Sequence, residues 1–143
     1  MLKIKKISHV AMAVPDLDGS LAKLKGVLGL AVSSREYVPS QKVEAALLPI
    51  GDTSIELIAP QGNDGVEKFL AKRGPGLHHI AIEVEGIEGA LALLKGLSVP
   101  LIDESPRIGA HGHKVAFIHP KGTGGVLIEL VEPLRERSDG APL

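Results

Sequence analysis

Two stretches of the chain, residues 9–14 (HVAMAV) and 79–84 (HIAIEV), are short, apolar and rich in Val and Ile, the pattern of half-buried strands. After the first, Asp16 and Asp18 precede apolar residues at helical spacing, Leu17, Leu21, Leu24 and Leu28. After the second come Ile87, Leu91 and Leu94, with Gly96 as a helix stop. Strand patterns return at Val43–Ile50 and 54–58, joined around the turn signal Gly51-Asp52, and again at 114–119 and 126–131, joined across Pro120 to Gly125. A short helix over 64–72 links the two halves and stops at Gly74-Pro75-Gly76.

The halves are copies. His9 to Val14 matches His79 to Val84 at an offset of 79 − 9 = 70. Leu17, Leu21, Leu24 and Gly26 keep that offset, opposite Ile87, Leu91, Leu94 and Gly96. Lys42-Val43 matches Lys114-Val115 at 72, and Ile55-Glu56-Leu57 matches Ile128-Glu129-Leu130 at 73. An ordered series drifting by so little indicates duplication with small loop insertions. The predicted fold is α+β: two tandem βαβββ modules, residues 1–62 and 77–134, forming a curled mixed sheet around a metal cleft. Residues 63–76 form the linking helix and loop, and 135–143 a frayed tail.

Composition narrows the chemistry. Of 143 residues 44% are apolar and 23% charged, with a formal net charge of −1, so no basic surface for nucleic acid or membrane is expected. There is no cysteine, which excludes disulfides and thiol nucleophiles and leaves any metal to His, Asp, Glu, Gln or Asn. Residues 1–6 lack the apolar run of a signal or spanning segment, and the chain reads as cytoplasmic.

Each copy offers a His near the start of its first strand and a Glu in its last. Alternation places His9, Ala11 and Ala13 on one face, where the alanines leave open space. Glu56 and Glu129 each stand between Ile and Leu, and a carboxylate inside an apolar strand must face solvent or a partner. A lone strand Glu is ordinarily solvated and a lone His ordinarily a core residue. Two of each at equivalent positions of a duplicated module point instead to metal ligands: His9, Glu56, His79 and Glu129. Two nitrogens and two carboxylates suit one divalent ion per chain, cobalt first, with Ni, Zn, Mn or Fe as alternatives.

The remaining candidates divide. His78 faces away from His79 and stays outside the ligand set. His111 and His113 lie in a Gly-rich turn, read as exposed loop residues, the alternative being a substrate-gripping loop. His119, before Pro120, reads as structural. Glu44 breaks the repeat, since its counterpart is Ala116. Alternation puts Glu44 and Ala46 on one face, either that of the cleft or an exposed one.

These residues resemble the vicinal oxygen chelate superfamily and, within it, the methylmalonyl-CoA epimerase family. The resemblance runs from Ile7 to Pro133. It rests on residues 7–16 and 49–60, and most specifically on Gly76-Leu77-His78-His79-Ile80-Ala81 and the stretch Leu101 to Gly112. It implies metal-assisted epimerisation of methylmalonyl-CoA by 1,1-proton transfer through an enolate, with His9, His79 and Glu129 as ligands and Glu56 as the fourth. It further implies Glu44 and Glu129 as proton-transfer bases, and a homodimer. Position 56 departs from the relatives that carry Gln there, and the leucine-lysine pair 24–25 from the usual aromatic pair. Two His with two Glu is the set of glyoxalase I, so a lactoylglutathione lyase is the alternative enzyme. A non-catalytic ligand-sequestering protein of the same fold is the alternative of another class.

Overall fold

Residues 1–134 are described by the computed structural model; the tail 135–143 lies outside the described residues. The chain divides into two units, one of residues 7–80 and the other of residues 1–6 with 81 onward. The divisions fall inside strands β1 (Lys3–Ala13) and β5 (Gly76–Glu85), so each of these strands runs from one unit into the other.

In the first unit, β1 ends where Asp16 begins a helix. Its side chain accepts the Gly19 N–H at 3.1 Å, capping α1 (Leu17–Leu28). Such a cap contributes about 1 kcal/mol. Gly29, at φ 69°, closes α1 in the left-handed conformation that glycine adopts without strain. Then follow β2 (Ser34–Val38), β3 (Val43–Ile50) and β4 (Thr53–Pro60). β3 and β4 form a hairpin whose two-residue turn has Gly51 at φ 59°. β4 also pairs in parallel with β1, Ala11 beside Glu56 and Met12 beside Leu57.

Pairing sorts the side chains. Ala46, Leu48, Leu57 and Ala59 pack with Val14 and Leu17, flanked by Leu21 and Leu24, so α1 covers that face. His9, Ala11, Ala13 and Glu56 take the other. Helix α2 (Asp64–Arg73) is capped by Asn63, whose side chain accepts the Val66 N–H at 2.8 Å.

In the second unit, α3 (Ile87–Gly96) starts at Gly86 without a side-chain cap of its own. Glu132 serves instead, accepting the N–H groups of Gly86 at 2.7 Å and Ile87 at 3.3 Å. The strands are β6 (Arg107–Ile108), β7 (Lys114–Ile118) and β8 (Ile128–Glu132), paired antiparallel with β7 in the middle. Ile87, Ala90, Leu91 and Leu94 of α3 pack on Ala116, Ile118 and Leu130. Residues of the opposite parity, Val115, Phe117, Glu129 and Val131, share the face that α3 does not cover. Both units thus follow the order βαβββ, each an α+β layer with its helix on one side.

Candidate metal centre

Three of the four expected ligands belong to the first unit, and all three are buried there. β1 presents His9 two residues before Ala11, and β4 sets Glu56 directly beside Ala11, so both side chains take the face of the small alanine. His79 comes from the first half of β5. The rings of His9 and His79 meet edge to face, with centroids 5.6 Å apart.

Both imidazoles turn Nε2 toward one oxygen. His9 Nε2 lies 3.5 Å and His79 Nε2 4.0 Å from Glu56 Oε1. These separations exceed the 2.7–3.2 Å typical of N–H···O bonds. Ligand atoms held about 2.1 Å from a common ion at tetrahedral angles lie roughly 3.4 Å apart, close to what is seen. Two neutral nitrogens and a carboxylate, dry and convergent, fit a divalent cation by donor chemistry as well as by spacing.

The opposite nitrogens are occupied. His9 Nδ1 is 3.1 Å from Ser8 Oγ, and His79 Nδ1 is 2.9 Å from His78 Nδ1. A proton on Nδ1 of His9 and of His79, donated to these neighbours, leaves each Nε2 lone pair to a metal. His78 is itself braced: its ring packs edge to face with Phe69 of α2 at 5.1 Å, and the Arg73 guanidinium lies over the Phe69 ring at 5.5 Å. His78, expected to face away from His79, instead brings its Nδ1 within 2.9 Å of the His79 Nδ1 and so orients that ring. Neither Ser8 nor His78 was marked for that role by any spacing in the sequence.

Glu129 belongs to the second unit, in the middle of β8 opposite Phe117, with 3% of its surface exposed. Its neighbours on the strand, Ile128 and Leu130, go to the α3 side, and it takes the face that α3 leaves uncovered.

Glu44 is placed differently from the cleft-facing arrangement considered above. Glu44 and Ala46 do share a face, but Glu44 pairs with Ala59 and Ala46 with Leu57, on the side that α1 covers. Glu56 pairs with Leu47, of the opposite parity. The half-buried Glu44 carboxylate accepts from Arg35 Nε at 2.5 Å, and Arg35 also holds Asp18 in the first turn of α1. These bonds, that to Asp18 first and that to Glu44 second, raise the Arg35 pKa.

The loop histidines also find partners. His113 Nδ1 accepts the Leu134 N–H at 2.7 Å, so it ties the loop to the end of the strand segment, while His111 is exposed at φ 60°. His119 Nδ1 accepts the Lys121 N–H at 3.1 Å and caps the 3₁₀ turn Pro120–Gly122, the structural role expected of it.

Residues 8–117 match the model of the glyoxalase/bleomycin resistance protein/dioxygenase superfamily. The chain is 42% identical over 127 residues to the mitochondrial methylmalonyl-CoA epimerase of Homo sapiens, covering 87% of this chain and 72% of that protein. Its fold superposes on the crystal structure of methylmalonyl-CoA epimerase from Mycobacterium tuberculosis with a TM-score of 0.89 at 36% identity, covering 94% and 92% of the two chains. A methylmalonyl-CoA epimerase in complex with methylmalonyl-CoA and NH4+ gives a TM-score of 0.88 at 31% identity, covering 98% and 100%.

The geometry at Glu56 sets one expectation. Purified wild-type protein should hold about one divalent ion per chain, and His79→Ala should abolish tight binding without loss of the fold. Metal content by mass spectrometry, with circular dichroism on the same samples, checks both. A His9→Ala, His79→Ala double variant with undiminished metal would overturn the site.

Proposed function

Since the chain belongs to the glyoxalase/bleomycin resistance protein/dioxygenase superfamily, we propose that it works as a cytoplasmic methylmalonyl-CoA epimerase, an isomerase interconverting the (R) and (S) forms. The observation that carries the reading is the pair of Nε2 atoms converging on Glu56 in a chain whose close relatives bear that name. The glyoxalase alternative has the two-His, two-Glu set in its favour, but the named relatives given above are epimerases.

His9, Glu56, His79 and Glu129 are the proposed ligands, cobalt the proposed metal. A bound divalent ion supplies positive charge that lowers the cost of negative charge on an acyl oxygen when the 2-proton leaves. Burial of the protein ligands excludes water, which strengthens that charge. Glu56 in place of an amide makes the ligand set one charge more negative, and so weakens the net pull on the developing enolate.

Epimerisation needs a proton taken from one face of the 2-carbon and one returned to the other. Glu129 and Glu44 are the proposed pair. Glu129 would serve through one carboxylate oxygen while the other stays a ligand. Glu44 enters the pair on the resemblance to the epimerase family; it lies on the far face of β3 from Glu56, with its carboxylate held by Arg35.

The direct test is a coupled epimerisation assay on purified protein, alongside a lactoylglutathione assay. Epimerase turnover that falls on chelation and returns with added cobalt is expected. Turnover of the hemithioacetal alone would overturn the reading in favour of the lyase, and turnover of neither would favour the ligand-sequestering protein.

Glu44→Gln keeps shape and hydrogen bonding but takes no proton at neutral pH. Turnover should fall by roughly 10²-fold, the common scale for a lost general base, with metal content unchanged. Exchange of the 2-hydrogen with solvent deuterium, followed for each stereoisomer, should persist for one and vanish for the other. Wild-type turnover in this variant would remove Glu44 from the mechanism.

A homodimer completes the proposal. The exposed apolar side chains of Ile4, Ile7 and Leu77 offer surface that a second copy would cover. Light scattering at micromolar concentration should give twice the chain mass, and a monomer mass would refute the assignment.

A further inference from the structure

Thr53 opens β4 directly after the Gly51-Asp52 turn, opposite Ile50 of β3 and three residues before Glu56. Its hydroxyl leaves the hairpin and donates to the carbonyl oxygen of Ser8 on β1, at 3.1 Å. The pairing of β1 with β4 runs from Val10–Ile55 to Ala13–Ile58. Carrying that register two residues back sets Ser8 opposite Thr53 and leaves His9 just before the paired stretch. A side chain therefore ties the end of β1 that carries one ligand to the strand that carries another.

The tie falls on one particular peptide unit. The Ser8 carbonyl belongs to the planar group that also contains the His9 amide nitrogen, so fixing that oxygen fixes the direction in which the His9 Cα departs. Ser8 Oγ meets His9 Nδ1 at 3.1 Å, and the same peptide unit sets how these two side chains stand to each other. The imidazole then carries the constraint across to Nε2, 3.5 Å from Glu56 Oε1. Glu56 stands on the strand that Thr53 begins, so the four residues close a circuit. Valine has the same branched shape and the same stiff χ1 as threonine, so the hydroxyl alone makes the tie.

We infer that Thr53 is a positioning residue for the metal centre, setting the His9 ring through the Ser8 peptide and so raising the affinity of the site for a divalent ion. The inference rests on the reading of His9 and Glu56 as ligands, and goes beyond it by giving a role to a residue outside the ligand set. It assigns Thr53 neither proton transfer nor contact with substrate.

The test uses cobalt(II) as the probe and the full chain as wild type, Thr53→Val, Thr53→Ser and Ser8→Ala. Valine keeps the shape and removes the donor, whereas serine keeps the donor and loses the methyl. Cobalt affinity is measured in competition with a chelator. Thr53→Val should weaken cobalt binding by about tenfold, the low end of what loss of a partner behind the ligands costs, and Thr53→Ser should hold it within about threefold of wild type. Proton NMR of the cobalt-loaded protein supplies a second readout, the paramagnetically shifted ring N–H signals of the two coordinated histidines. Thr53→Val should displace one of them and leave the other, and Ser8→Ala should displace that same signal, which marks it as the signal of His9. Melting temperatures of the metal-free variants should match that of wild type. Equal losses of affinity in Thr53→Val and Thr53→Ser, or displacement of both ring signals, would overturn the inference. So would a lowered melting temperature with unchanged cobalt affinity, the mark of a residue that merely supports the hairpin. A wild type that takes up no cobalt overturns the ligand reading and the role of Thr53 with it. Cobalt bound equally by wild type and Thr53→Val leaves the ligand reading standing and removes Thr53 alone.

Discussion

A buried carboxylate approached by two imidazole nitrogens is the constraint around which the first unit is organised. Moving an uncompensated carboxylate out of water costs several kcal/mol, a large share of the roughly 5–15 kcal/mol by which a domain is stable. A cation offsets that cost where two imidazoles and a carboxylate converge. Everything nearby serves the convergence. Buried alanines at 11 and 13 add little bulk to the face of β1 that carries His9, and the parallel register sets Glu56 beside Ala11. Helix α1 seals the opposite face with Leu17, Leu21 and Leu24, so the strands have only one side to offer.

Support for the ligands reaches further than the ligands. His79 is oriented by His78, His78 by Phe69, and Phe69 lies in a helix started by Asn63. That path explains why a connecting segment between two repeats is a capped helix and not a loose linker. A ring that must point one nitrogen at a metal needs its other nitrogen held, and a neighbour on the same strand can do this only if it too is braced. Ser8 performs the same service for His9, and a hydroxyl on a short side chain has little freedom to lose.

Much of this was legible in the sequence because it is local or repeated. Asp16 before Leu17 reads as a cap, Gly51-Asp52 as a turn, and His9 with His79 as a pair, since each follows from spacing along the chain. The strands β2 and β6 were not individually legible: five residues of mixed polarity and two residues, respectively, carry no periodicity to find. The face taken by Glu44 was not legible either. Alternation says which residues share a face, and correctly joined Glu44 to Ala46, but only pairing with β4 says which face that is. The contacts of Ser8 with His9 and of His78 with His79 were not legible, because adjacency in sequence does not reveal which way neighbouring side chains turn.

The register also explains how two similar modules came to differ in chemistry. Arg35 and Arg107 stand 72 residues apart, the offset that relates Lys42 to Lys114, and both lie on the strand preceding the central hairpin of their unit. Arg35 pairs with Ala46, 11 residues on, whereas Arg107 pairs with Val115, only 8 residues on. The difference, 11 − 8 = 3, is odd, and an odd slip turns a side chain to the other face of its sheet. Arg35 accordingly joins Asp18 and Glu44 on the α1 side, where it ties helix to sheet. Arg107 goes to the uncovered face beside Phe117 and Glu129. A three-residue change in one hairpin register thus turns two matched arginines to opposite faces of their strands, and so gives two similar modules different side chains to present.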